Sequence, residues 1–155
     1  MTNTGGYTGY AGFWIRWVAA FIDNIILQVV ILPVSFLVGM VLGVLIVSTG
    51  GDPAQPGPQA ILQIIGALLS MAIQIGYNVY MISSPKQATF GKMALGLKVT
   101  DLYGQRITVG RAFGREFGKI LSGLTLLVGY MMAGWTEKKQ ALHDMIASTL
   151  VLKTR

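Results

Sequence analysis

Apolar side chains fill two long stretches of this chain, Trp17–Val47 and Ala60–Ile82, and most charged residues lie outside them. Each stretch exceeds the roughly 20 apolar residues, at ~1.5 Å per residue, that a bilayer core requires, so both predict membrane-spanning helices. Lipid offers no partners to backbone N–H and C=O groups, which is why a helix is the form expected of them. A third apolar segment, Ile120–Trp135, is shorter and carries Gly123, Gly129 and Gly134. Basic residues flank it on both sides, Lys119 before and Lys138, Lys139, Lys153 and Arg155 after. This pattern predicts a re-entrant helical segment that enters one leaflet and returns, with a third crossing as the alternative.

Shorter patterns predict strands. Leu97–Thr100 and Arg106–Thr108 flank the turn-like Asp101-Leu-Tyr-Gly104 and read as a β-hairpin, which Ser148–Leu152 extends to three strands. Met1–Gly12, rich in Gly, Thr and Tyr, reads as a mobile tail ahead of a single domain over residues 13–153. The expected fold class is an all-α membrane protein: two long transmembrane helices, a third apolar, re-entrant helical segment and a small cytoplasmic β-hairpin.

Composition agrees with that class. Apolar residues make up 53% and charged residues only 12% of the chain, well below the roughly 25% charge of soluble domains. The first apolar run is too long for a signal-peptide core and no basic segment precedes it, so it is expected to persist in the mature protein. Charge then orients the helices. Loop 48–59 carries Asp52 alone, whereas 85–119 holds Lys86, Lys92, Lys98, Arg106, Arg111, Arg115 and Lys119. The positive-inside rule places loop 48–59 outside and 85–119 in the cytoplasm, where Lys92, Arg111, Arg115 and Lys119 read as a basic collar facing anionic lipid head groups. The net charge of +6 comes with no compact nucleic-acid motif, so no nucleic acid is expected as a partner.

Candidate chemistry centres on Asp23, the one charge inside Trp17–Val47. A carboxylate costs about 2.5–3.5 kcal/mol at a helix centre on insertion scales, so it calls for a partner or a task. Arg16 lies two turns earlier on the same face, and Gln28, Gln74 and Asn78 stand at depths that predict one polar cluster with it. Ser35, Gly39 and Gly43 form a small-residue stripe suited to close helix packing, either within the chain or in a homo-oligomer. Trp14, Trp17 and Trp135 read as interfacial anchors.

Enzyme readings fail on residue types. His143-Asp144 resembles a metal dyad, yet there is no other histidine and no cysteine to complete a ligand set, so neither metal nor cofactor is expected. Gly91-Lys92 lacks the spacing of a phosphate loop, and no nucleophile–base–orienter set is present. His143 reads as a cap or hydrogen-bond partner near the membrane surface, titrating near neutral pH.

Several blocks in order carry a resemblance. Phe13-Trp-Ile-Arg16 leads to Ala19-Ala-Phe-Ile-Asp23; Thr89-Phe-Gly-Lys92 precedes Leu95–Asp101; then come Arg111–Arg115, Leu142-His-Asp144 and Ala147–Val151. Over about residues 10–153 the chain resembles the RDD family of bacterial membrane proteins, named for one arginine and two aspartates, which match Arg16, Asp23 and Asp144. The resemblance implies the bacterial cytoplasmic membrane and suggests cation/proton antiport or other small-solute transport using an intramembrane carboxylate, with monovalent cations and protons as partners. The alternative is a non-catalytic scaffold or accessory subunit in which Asp23 pairs with Arg16, Arg115 or Lys119, and Asp144 anchors the C-terminal segment to the basic collar.

Overall fold

The computed structural model describes residues 6–125 and 128–154. In chain order the elements are strand β1 (Gly9–Tyr10), helices α1 (Phe13–Ser48), α2 (Pro56–Ser83) and α3 (Phe90–Ala94), strand β2 (Leu97–Asp101), helices α4 (Val109–Leu124) and α5 (Val128–Met131), a 3-10 turn (Met132–Gly134), helix α6 (Leu142–Ile146) and strand β3 (Thr149–Lys153). They fall into two compact units, Ile25–Gln74 and the pairing of Met1–Asn24 with Ile75–Arg155.

Ile25–Gln74 contains most of the apolar length of α1 and α2. Both helices are long and apolar enough to cross a membrane, at ~1.5 Å per residue more than the roughly 30 Å of a hydrocarbon core. Val29, Leu32, Phe36 and Val44 of α1 and Ile61, Ile64 and Leu68 of α2 are exposed, as lipid-facing side chains should be. The end of α1 is set by Gly50, in the left-handed region at φ +79°. The Gly51 N–H donates to Ile46 and the Gly50 N–H to Val47, the paired bonds of a Schellman stop. Pro56 then opens α2, where a missing N–H costs nothing.

The other unit is built around a three-stranded antiparallel sheet in the order β1-β3-β2. Val99 lies opposite Val151 and Tyr10 opposite Leu152. Ala11, Ala19, Val79, Ile82, Leu97, Val99, Ile107, Ala112 and Val151 form its apolar core. Two expectations change here. Arg106–Thr108 is not a strand; the chain leaves β2 through a turn in which the Asp101 carboxylate accepts the Tyr103 and Gln105 N–H groups, and Thr108 caps α4 by accepting from Arg111 N. The third strand comes instead from Gly9–Tyr10, within the stretch read as a mobile tail; β3 carries unsatisfied edges on both sides, and β1 covers one of them. Residues 1–5 of that tail lie outside the described residues.

The segment Ile120–Trp135 is divided between α4 and the stretch Val128–Gly134, which lie at 118° to one another. The chain doubles back: Tyr130 Oη donates to the Lys119 carbonyl at 3.1 Å, and a Cβ on Gly129 would stand 2.8 Å from the Ser122 Cα. One straight third helix is therefore not formed. Polarity on α4 is inverted relative to a soluble helix. Val109, Phe113, Phe117, Ile120, Leu121 and Leu124 are exposed, while Arg115, Glu116 and Ser122 are buried. A surface of that kind is stable only against an apolar medium.

Candidate functional site

Asp144 sits in the first turn of α6 and is completely buried. Its Oδ2 accepts the Ala141 N–H at 3.1 Å and an Nη1 hydrogen bond from Arg16. Arg115 Nη2 stands 2.8 Å from Oδ1, an ion-pair contact rather than an aligned hydrogen bond. Arg16 uses its whole fork: Nε donates to Ala11 O at 2.8 Å and Nη2 to Lys139 O at 2.6 Å. One guanidinium thereby ties the start of α1 to β1's end, to the 136–141 loop and to α6. Two arginines face one carboxylate. Burial pushes the Asp144 carboxyl up, but Arg115, Arg16 and His143 outweigh it and hold the group well below the usual carboxylate range.

His143, next in line, is buried rather than surface-lying. Its Nδ1 is 3.2 Å from Ser122 Oγ and its Nε2 3.4 Å from Asp144 Oδ1. Burial lowers it to about 3, with Asp144 opposing and Arg115, Lys119 and Arg16 adding to the shift. The imidazole is therefore neutral at pH 7, and the expectation of near-neutral titration is corrected. Gly118 makes the approach feasible, since a Cβ there would lie 3.0 Å from the His143 Cα.

 Asp23 of α1 would read as an ion ligand only if its oxygens were open; they are not. What surrounds the carboxylate matters more than its position along α1. Oδ1 accepts from Tyr77 Oη at 2.9 Å and from the Gly91 N–H at 2.7 Å, and Oδ2 accepts from Thr89 Oγ1 at 2.5 Å. Lys92 Nζ lies 3.9 Å from Oδ2 and donates to Thr89 Oγ1 at 3.1 Å. Tyr77 Oη in turn accepts the Phe90 N–H at 3.0 Å. An ionised carboxylate offers about four acceptor sites, so three donors and an ammonium leave it little to offer a further ligand. Gly91 is needed for this approach, because a Cβ there would fall 2.1 Å from the Ala19 carbonyl oxygen.

Asp144 meets Arg115, one of the basic residues expected to hold it, whereas Asp23 has a different cationic partner from those expected. Asp23 pairs with Lys92, and Arg16 belongs to Asp144. Gln28 and Gln74 lie in the unit Ile25–Gln74 and are exposed; Asn78 belongs to the other unit and is buried on α2. The basic collar also dissolves. Arg115 is 3% exposed and Lys92 points inward, Lys119 bonds Glu116 at 2.6 Å, and half-exposed Arg111 stands 3.8 Å from Asp101. The reason is the inverted polarity of α4, which turns its charged side inward. Along the small-residue stripe, a Cβ on Gly39 or Gly43 would meet nothing within 4 Å, so no close helix contact forms there among the described residues. Tyr77, Thr89 and Gly91 were not singled out as site residues, although the Thr89-Phe-Gly-Lys92 block contains all but the tyrosine.

Two helices long and apolar enough to cross a membrane, in a chain that also carries a small sheet unit with a buried Arg–Asp–Arg network, define a class of membrane protein. The chain belongs to the RDD family, whose sequence profile matches residues 10–148. It is 36% identical over 148 residues to the uncharacterized protein YxaI of Bacillus subtilis (strain 168), covering 92% of this chain and 96% of that one. It is 28% identical over 146 residues to the uncharacterized protein YckC of the same organism, covering 91% and 83% respectively. No solved structure matches the chain.

Proposed function

We propose that this protein is a non-catalytic membrane scaffold or accessory subunit in which the arginine and the two aspartates are structural. The observation that carries this reading is that groups of the chain itself occupy both carboxylates: hydrogen bonds from Tyr77, Thr89 and Gly91 and the ammonium of Lys92 on Asp23, and hydrogen bonds from Arg16 and Ala141 with an ion-pair contact from Arg115 on Asp144. A carboxylate that binds and releases a cation needs free lone pairs in at least one state. The reading makes the protein no enzyme and assigns it no cofactor.

One observation favours a second reading, coupling to protons. Lys92 is partly buried beside Asp23, and desolvation lowers its ammonium to about 7, with Lys119 and Arg115 adding and Asp23 and Glu116 opposing. Such a group exchanges a proton near neutral pH. The two readings separate in proteoliposomes carrying sodium, potassium or lithium gradients. Scaffolding predicts no proton flux from the wild type and a lowered thermal midpoint for Asp23→Asn. Cation-driven flux in the wild type, lost in folded Asp23→Asn and Lys92→Met proteins, would establish transport instead.

The same proposal sets the chain in a bacterial cytoplasmic membrane with loop 48–59 outside and 85–119 in the cytoplasm, supported by the distribution of Lys and Arg. The chain has no cysteine, so Gln55→Cys and Tyr103→Cys each report one side. A membrane-impermeant maleimide should label intact cells through position 55 alone. Labelling through position 103 alone reverses the orientation.

A further inference from the structure

We propose that a groove of about 590 Å³ beside the first turn of α1 binds one anionic phospholipid, its phosphate on Lys139 and Lys153 and an acyl chain along the apolar walls. Phe13, Trp14 and Ile15 form one wall; Met131 and Trp135 stand on the other. Trp14 is 75% and Trp135 63% exposed, and exposed tryptophans of this kind settle at the head-group level of a bilayer. The groove therefore joins an apolar trough to the depth at which lipid phosphates lie.

Its charge is of one sign. Lys139 and Lys153 are the charged residues of the lining, and no carboxylate joins them among the described residues. The wall supplied by α1 is also a helix start, where N–H groups and the helix dipole favour an anion. Lys139 is held there at a conformational cost. Its backbone is left-handed at φ +48°, and it is fixed by the Arg16 bond to its carbonyl and by its own N–H bond to Thr136 O at 2.9 Å. Its Nζ comes within 3.9 Å of where a Gly12 Cβ would be, over the beginning of α1. A strained residue held in place by a part-buried arginine is a reason to look for a ligand.

The walls choose among anions. Inorganic phosphate gains nothing from Trp14, Met131 and Trp135, whereas a phospholipid fills both halves of the groove. A second copy of this chain, carrying net charge +6, brings no evident counter-charge.

The test uses the full chain with Trp17→Phe, which leaves Trp14 and Trp135 as the fluorophores, in bilayers containing acyl-brominated phosphatidylglycerol or acyl-brominated phosphatidylcholine at equal mole fraction. Bromine quenches a tryptophan it touches. Quenching should favour phosphatidylglycerol by about fivefold in relative affinity for each lysine engaged. Lys139→Gln/Lys153→Gln should abolish that preference, and Lys98→Gln/Arg106→Gln, with the same change of charge elsewhere, should leave it intact. If the double groove variant does not fold, Lys139→Gln alone applies the same test with a smaller loss, since the backbone bonds of Lys139 do not involve its side chain. Equal quenching by the two lipids overturns the proposal. So does an equal loss in the Lys98/Arg106 variant, which would mean surface charge alone, and so does loss of the preference on adding inorganic phosphate at matched ionic strength, which would mean a free-anion site.

Discussion

Asp144→Asn should destabilise the folded protein by about 3–5 kcal/mol, the cost of removing one member of a buried charge cluster. In detergent this lowers the thermal midpoint by on the order of 10 °C. The effect is large because the change strands two guanidiniums, those of Arg16 and Arg115, rather than one. Adding Arg115→Gln to Asp144→Asn should recover part of the loss, and that non-additivity distinguishes a charge imbalance from simple repacking. A midpoint unchanged by Asp144→Asn would show that water, not the carboxylate, solvates the arginines. The wild-type melts should also depend on pH with a definite sign. His143 binds a proton near its ordinary 6.5 when unfolded but only at about 3 when folded, so stability falls as pH drops through that window. Asp144, depressed in the folded state, adds a further loss below its ordinary 3.8, and Asp144→Asn removes that second component.

Gly91→Ala is expected to be nearly as damaging. The added methyl would meet the Ala19 carbonyl oxygen at 2.1 Å, and because the obstacle is helix backbone, α3 has to withdraw. Overpacking of this kind costs about 1–3 kcal/mol, sometimes more. Withdrawal also removes the Gly91 N–H from Asp23 and carries Thr89 and Lys92 away with it. The thermal midpoint should fall while Gly110→Ala on α4, with nothing within 4 Å of its Cβ, stays close to wild type. Equal midpoints for the two variants would show that α3 is not seated against α1.

The membrane helices were legible because lipid imposes one requirement on every residue of α1 and α2, and a run of apolar side chains states it openly. The sheet was legible in part. β2 and β3 have strand-like content, but Gly9–Tyr10 has none, and its pairing is decided by an edge of β3 that only the fold creates. Pairing of charges was hidden for a related reason: Arg16 finds its carboxylate 128 residues away, beyond any local pattern. The misplacement of Arg115 had a visible remedy. Counted by loop, it belongs to a basic collar; counted by helical period, it lies opposite Phe113, Phe117 and Leu124, and whichever side meets lipid sends the other inward.

That separation between Arg16 and Asp144 has a consequence for biosynthesis. At about 5–20 residues per second, on the order of ten seconds pass between translation of the arginine and of the aspartate that will neutralise it. Throughout that interval the nascent first helix carries an unmatched positive charge at its leading edge, a charge that resists translocation. In the proposed orientation, the residue that later locks the finished fold would first favour insertion with the amino-terminal end on the side where synthesis occurs.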